Sequence, residues 1–367
     1  MDASLRWTSG YLELDPRDRR LATLLAGSVL VALVAAFVQV SRGSFPTPLG
    51  VAFDVITDPD ILFNPEVWLA IFTGSDFPDS LSQSAIVIWS LRMPRVFVGA
   101  LVGMNLAVSG AVFQAITRNE LASPYILGVS GGAGLAVLLT LVFFAGATFV
   151  LPFAAAAGGA FAFGLVYVIA WQGGTNPVRL VLAGVVVATV FQSLQTGLFY
   201  FLDSTAAVKT AIQWTTGSLI GIGWAQFRLA IVPTLVVVPL ILLASRHLNV
   251  LLLGEETARS LGMPVEYVRF GLSTLAILAA ASAVAVAGLV GFVGLVVPHA
   301  VRTFVGSDYR RLVLGCLFLG PALVLAADVI ARLALMPIQV PVGVVTGLIG
   351  GPYFLYLMRR HGEFSEF

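Results

Sequence analysis

Hydrophobic residues in this chain fall in long unbroken stretches, separated by short clusters of Arg, Asp, Glu, Pro and Gly. Ten such stretches lie near residues 21–40, 90–116, 124–148, 150–171, 177–201, 228–245, 267–287, 288–305, 311–333 and 340–358. About 17–25 apolar residues in a helix cross a hydrocarbon core of roughly 30 Å. The pattern therefore predicts an all-α polytopic membrane protein with about ten transmembrane helices. It divides the chain into an N-terminal segment (1–20), a single transmembrane domain (21–360) interrupted by polar segments at 41–84 and 246–269, and a C-terminal tail (361–367).

Composition removes the soluble alternative. Of 367 residues, 58% are hydrophobic and 11% charged, and the mean hydropathy is +0.97. Unpaired backbone amides are costly in hydrocarbon, so only helices and closed barrels span it, and continuous rather than alternating apolar runs select helices. A net charge of +1 gives no reason to expect nucleic acid. Cys316 is the one cysteine, so no intrachain disulfide forms.

Lys and Arg are retained on the cytoplasmic side of short loops. Arg17, Arg19 and Arg20 precede the first span; with them inside, alternation also puts Arg118, Arg179, Arg246, Arg259, Arg269, Arg302, Arg310, Arg311, Arg359 and Arg360 inside. Both termini are then cytoplasmic, the segment 41–84 is external, and 246–269 is a cytoplasmic loop. Arg42, Arg92, Arg95, Lys209, Arg228 and Arg332 fall outside against the trend. The first run has the basic start of a secretory signal, but its full length and the nine runs that follow predict a retained helix. In the acidic external segment, Pro46, Pro48, Pro59, Pro65 and Pro78 break regular structure, and Trp68 and Phe72 suggest a short interfacial helix.

Four features carry functional expectations. Gly254 and Gly262 bracket Glu255 to Leu261, a short helix with acids in its first turn and a glycine stop, suited either to a groove on a cytoplasmic partner or to a plain surface position. Arg92 and Arg95 flank Pro94 at the outer mouth, where they either pair with carboxylates of an external protein or snorkel to headgroups. Asp328 precedes Arg332 by one helical turn, which predicts an intrahelical pair, with proton coupling as the sharper alternative. Thr189, Gln192, Ser193 and Thr196 form one polar stripe, lining water or bonding to another helix.

The glycine-rich stretch 128–134 has no Lys and lies at membrane depth, so close helix packing explains it better than phosphate binding. Catalysis has little support: His247, His299 and His361 lack metal-ligand spacing and no Walker motif is present, so ATP hydrolysis would have to come from another chain.

The sequences RMPRVFVGALVGMNLAVSGAVFQAITRNELASPYILGVSGGAG (92–134), LNVLLLGEETARSLG (248–262), GLVGFVGLVVPHAVR (288–302) and PVGVVTGLIGGPYFLYLMRR (341–360) together resemble the FecCD-type permeases of ABC importers, which include the BtuC-like cobalamin permeases and those for ferric siderophores and haem. The resemblance implies a BtuC-like type II ABC importer permease fold with ten helices, a second permease copy or paralogue, two cytoplasmic ABC ATPase subunits that hold the ATP and Mg, and an external substrate-binding protein. No cofactor is expected on this chain.

Residue by residue, the resemblance makes Gly254, Glu255, Glu256, Ala258, Leu261 and Gly262 a coupling helix that transmits ATPase closure. It makes Arg92, Arg95 and Arg332 receptors for glutamates of the binding protein, so that reversing Arg92 and Arg95 to Glu weakens docking without unfolding. Asn119 with Leu121, and Gly174 with Thr175, become two cytoplasmic gates; the span from 177 becomes a pathway wall, and 205–219 an external gating helix. Glu120 departs from the family by standing where most members have proline. The expected cargo is a bulky metal chelate: ferric siderophore first, then cobalamin or haem. The rival classes are an ion-coupled transporter using Asp328 and an intramembrane enzyme.

Overall fold

The computed structural model describes residues 15–43, 47–144, 147–172, 174–202 and 204–360; residues 1–14 of the expected N-terminal segment, Pro46, and the tail 361–367 lie outside the described residues. Helix α1 (Pro16–Ser41) leads into three short helices of the segment expected to be external, α2 (Leu49–Thr57), α3 (Pro59–Leu62) and α4 (Pro65–Thr73). Helix α5 (Gln83–Ile86) runs through a π-helical stretch, Val87–Arg92, into α6 (Met93–Thr117). There follow α7 (Val129–Phe143), α8 (Leu151–Ala170), α9 (Pro177–Phe199), α10 (Thr205–Thr216), α11 (Trp224–Leu252), α12 (Glu255–Ser260), α13 (Val265–Ala287), α14 (Val293–Val305), α15 (Tyr309–Leu333) and α16 (Val342–Arg360).

Seven continuous helices among the described residues are long and apolar enough to cross a membrane: α1, α5 through α6, α8, α9, α11, α13 and α15. Three shorter apolar helices, α7, α14 and most of α16, complete the ten expected stretches. At 13 residues α14 is about 20 Å long, less than the hydrocarbon thickness. Its expected span began at Gly288, but residues 288–292 are not helical. Gly288 has φ +67°, a Cβ there would lie 2.4 Å from the Trp214 carbonyl oxygen, and the Leu289 amide donates to that same oxygen at 2.9 Å. Irregular backbone at membrane depth is thus satisfied by protein, which is the condition for its survival there.

Helix α6 is the axis of the bundle, packed by α11, α13, α14 and α15. Small residues permit the approach: a Cβ at Gly103 would meet the Gly320 carbonyl oxygen at 2.3 Å, and one at Gly110 would meet that of Gly294 at 1.9 Å. Helices α7, α8 and α9 form a second group joined to the first through α8 and α13. The glycine-rich stretch serves packing, as expected: a Cβ at Gly132 would lie 2.1 Å from the Gly158 carbonyl oxygen. Helix α1 packs on α15 and leaves Leu30, Leu33 and Val34 exposed, the surface of a lipid-facing helix.

The 41–84 segment is shaped by Pro48, Pro59 and Pro65, which sit at the N-cap of α2 and in the first turns of α3 and α4. It has its own core: Ala52, Val55, Ile61, Val67 and Ile71 bury against Val40, Ile88, Trp89 and Trp224. Trp68 and Phe72 lie on α4 with rings 6.3 Å apart, and Phe72 and Phe63 are exposed, consistent with an interfacial element.

Candidate functional site

At the end of the bundle beside the 41–84 segment, expected to face outward, every described arginine of the α5–α6, α11 and α15 rim is engaged within the chain. Arg92 donates to the Val40 carbonyl and to Thr47 Oγ1, the latter at 3.2 Å, so it ties α6 to the start of the external segment. Arg228 donates to the Ile71 carbonyl oxygen at 2.6 Å and Arg332 to that of Gln39 at 2.9 Å. Arg95 forks onto Asp328, Nε to Oδ2 at 2.9 Å and Nη2 to Oδ1 at 2.8 Å, and its Nη1 reaches Gln339 Oε1 at 2.8 Å.

Asp328 is fully buried, so the partner of this carboxylate is Arg95 from 233 residues away and not Arg332 one turn on. The expected intrahelical pair is corrected by geometry: a rigid guanidinium fork presented by a neighbouring helix satisfies both carboxylate oxygens at once. Arg92 and Arg95 are buried, and Arg332 is partly exposed. Reversing Arg95 would set two carboxylates face to face in the bundle, so the expectation that this change spares folding is withdrawn.

At the end expected to face inward, α12 forms where the bracketing glycines place it. Gly254 and Gly262 have φ +104° and +80° with open space around each, so backbone conformation and not crowding requires them. Ala258 is buried against the bundle, while Glu256, Thr257, Ser260 and Leu261 are exposed. Glu255 turns inward: it pairs with Arg259 at 2.6 Å and lies 3.6 Å from Arg269 Nη2.

The loop carrying Gly174 and Thr175 lies beside this element. Thr175 is buried and hydrogen-bonds through Oγ1 to Glu266 Oε2 at 2.8 Å and to Arg269 Nη1 at 2.7 Å. In the other expected gate, Asn119 Oδ1 accepts from the Leu121 amide at 2.9 Å, an Asx turn that leaves both residues exposed. Glu120 pins this turn to α14: it pairs with Arg302 and lies 3.4 Å from His299 Nδ1. Arg302 also donates through Nη2 to Gln114 Oε1 and to Tyr309 Oη, both at 3.1 Å. The hydrogen bond to His299 first, and then Arg302, hold the Glu120 carboxyl down at about 2. The two expected gates are therefore on separate supports, one on α13 and α12, the other on α14.

Thr189, Gln192, Ser193 and Thr196 are all exposed on α9, and the three hydroxyls return to the carbonyl oxygens one turn back at 2.8, 3.0 and 3.0 Å. Helix-to-helix bonding from α9 comes from Gln195 instead, whose Nε2 donates to the Gly131 carbonyl oxygen at 2.9 Å. The stripe thus faces away from this chain's own bundle. Helix α10 ends in a backbone junction: Ser218 N donates to the Ala287 carbonyl oxygen at 2.7 Å and Gly343 N to that of Gly217 at 3.0 Å, linking the α10 end to α13 and α16. No group of three or more metal-ligating side chains occurs among the described residues.

Sequence reasoning counted Arg269 and Arg302 only as inner cations and passed over Gln195 and Glu266. A signal for Arg269 exists: it shares a face with Val265, Leu272, Ser273 and Ala276, which are all buried, so an arginine occupies a core register position.

The FecCD transport family model matches residues 31–360. The iron(3+)-hydroxamate import system permease protein FhuG of Bacillus subtilis is 38% identical over 77% of this chain and 87% of its own length. The vitamin B12 import system permease protein BtuC of Vibrio cholerae is 38% identical over 81% of this chain and 88% of its own. A solved structure described as a metal-chelate type ABC transporter in an inward-facing conformation matches with a TM-score of 0.77 at 26% identity, covering 92% of this chain and 99% of that one.

Proposed function

Since this chain belongs to the FecCD transport family, we propose that it is the membrane permease subunit of an ATP-binding-cassette importer, moving a bulky metal chelate by alternating access. Partner ATPase subunits supply the energy and an external binding protein delivers the cargo. The observation that carries this reading is the α12 element: its inner face is tied to the bundle through Ala258 and Glu255, while Glu256, Thr257, Ser260 and Leu261 are presented outward. A short helix held in this way transmits a push from a partner into the helices behind it.

The polar stripe on α9 supports a pathway shared with a second copy or paralogue, because it is turned away from its own bundle. Identity to the hydroxamate and vitamin B12 permeases is equal at 38%, so we assign choice of chelate mainly to the delivery protein. The order siderophore, then cobalamin or haem, is kept as the order of testing. An ion-coupled transporter would need Asp328 to exchange a proton or cation; both its oxygens are taken by Arg95, which disfavours that reading.

Copurification tests the assignment. The chain should bring down an ABC ATPase, and Leu261→Asp, at the exposed C-cap of α12, should abolish the association while leaving the fold intact. An isolated chain that transports with an ion gradient and no ATPase would overturn it. For the delivery face we propose Arg332 as the arginine open to an external carboxylate, with Arg92 and Arg95 shaping the rim around it. Binding-protein affinity should fall about tenfold or more in Arg332→Glu, as expected for reversing one charge of a docking pair.

A further inference from the structure

A charged group buried nine-tenths or more needs partners, and where those partners sit shows what it holds together. Arg269 is 1% exposed, in the second turn of α13. Its Nη1 donates to the Thr175 carbonyl, to Thr175 Oγ1 at 2.7 Å and to Glu266 Oε1 at 3.1 Å, and its Nη2 lies 3.6 Å from Glu255 Oε2. The second oxygen of Glu266 closes the ring by accepting from Thr175 N at 3.2 Å and Oγ1 at 2.8 Å. One rigid guanidinium thus touches three chain segments: the loop before α9, the first turns of α13, and α12.

These segments differ in freedom. Helix α13 is locked in the bundle against α6, α8 and α11. Helix α12 is six residues long, flanked by glycines at positive φ, and exposes most of its side chains. The 174–175 loop enters α9, the helix with the exposed polar face. Glu255 is shared between Arg259 on its own helix and Arg269 on α13, so displacing α12 changes the charge facing Arg269. That change bears directly on the hydrogen bonds that hold Thr175.

From this geometry we infer that Arg269 is a positioning residue that relays displacement of α12 to the Thr175 loop, joining the ATPase-facing element to one cytoplasmic gate through a buried Glu255–Arg269–Thr175/Glu266 network. The inference rests on the assignment of α12 as the coupling element and of 174–175 as a gate. It adds a route between them that serves this gate and bypasses the Asn119–Leu121 turn, which Glu120 fastens separately to α14.

The test uses the whole transporter, this chain with its copurified ATPase, in nanodiscs. Gln172→Cys places a thiol on the exposed loop beside Thr175, and Cys316, fully buried, stays silent to maleimide. Labelling of the loop peptide is followed by mass spectrometry without nucleotide and after trapping with Mg·ATP and vanadate. In the otherwise native chain the rate should change about fivefold or more, the scale of an ordinary coupling between sites. Adding Arg269→Gln should reduce that change to within about twofold while the complex still forms and hydrolyses ATP. Thr175→Val removes only the loop's side-chain link and leaves its main-chain bonds to Arg269 and Glu266, is close in volume, and should weaken the change in the same direction by a smaller amount, so the inference remains testable if Arg269→Gln fails to assemble. Full loop responses in both variants would overturn the relay. A native loop that ignores nucleotide would overturn the gate assignment itself, a different result from the failure of the relay alone.

Discussion

The ends of the bundle expected to face outward and inward both use arginines for internal contacts, but the outer ones fasten main-chain carbonyls or one fixed carboxylate, whereas Arg269 and Arg302 add to their other contacts a carboxylate carried on the short helix α12 or on a turn. Arg92, Arg228 and Arg332 cap Val40, Ile71 and Gln39, and Arg95 grips Asp328 between two long helices. Arg269 holds Thr175 and Glu266 and lies 3.6 Å from Glu255 on the six-residue α12, and Arg302 pairs with Glu120 in the turn after α6. A carbonyl cap on a helix end has a single good geometry and fastens it. A charge pair between a helix and a short loop can be broken and remade when the loop is pushed, and so suits a part that changes state.

The largest effect is expected where the outer fastening is ionic. Arg95→Glu should destabilise the chain by about 3–5 kcal/mol by leaving Asp328 buried against a like charge, visible as loss of folded material in thermal unfolding in detergent. Replacing both partners, Arg95→Met with Asp328→Leu, should recover most of that loss. Failure to recover would mean that the pair does more than hold helices.

Next comes a neutral cap. Arg228→Met should cost about 1–3 kcal/mol locally by orphaning the Ile71 carbonyl, and the loss should appear as faster hydrogen exchange confined to residues 65–74. Spread of the change to α6 would show that the external segment and bundle are one unit.

The inner pair should matter less for stability. Glu120 is half-exposed, so Glu120→Gln should cost at most about 1 kcal/mol while measurably accelerating exchange in the 118–122 turn. Its carboxyl is held at about 2 against an ordinary 4.5, so its contribution is complete above pH 4.5 and is lost as pH falls from there through about 2. The difference between the native chain and Glu120→Gln should therefore persist at about pH 5 and shrink by about pH 3. Smallest of all, Ala at Thr189, Gln192, Ser193 or Thr196 should change stability by less than about 0.5 kcal/mol, so a fall in proteoliposome uptake would support the pathway proposed along this stripe and unchanged uptake would count against it.

Much of this architecture is legible along the chain because the bilayer imposes it locally. Apolar run length placed α1, α8, α9, α13 and α15 to within about five residues, and the glycine bracket placed α12, whereas α11 runs to Leu252, seven residues into the loop expected at 246–269. The misplacements share a cause: the apolar runs beginning at 124 and 288 start with non-helical backbone, and Gly288 is held against Trp214 from a distant part of the chain. Hydropathy does not distinguish a buried loop from a helix of the same composition. Side-chain pairings were less legible than helix positions. Asp328 has an arginine at the favoured helical spacing and ignores it for one 233 residues away. Thr175 meets Arg269 across 94 residues, which no local pattern encodes.

The sequence by itself determined that the chain is a bundle of membrane-spanning helices, where most of those helices lie, which glycines permit close packing and which segments project from the lipid. Each is a property of a few adjacent residues in a solvent that allows few backbone solutions. Only the tertiary structure decided which arginines fasten helix ends and which are linked to short turns and to α12, because a buried guanidinium must find its partner among whatever surfaces the fold brings within about 3 Å.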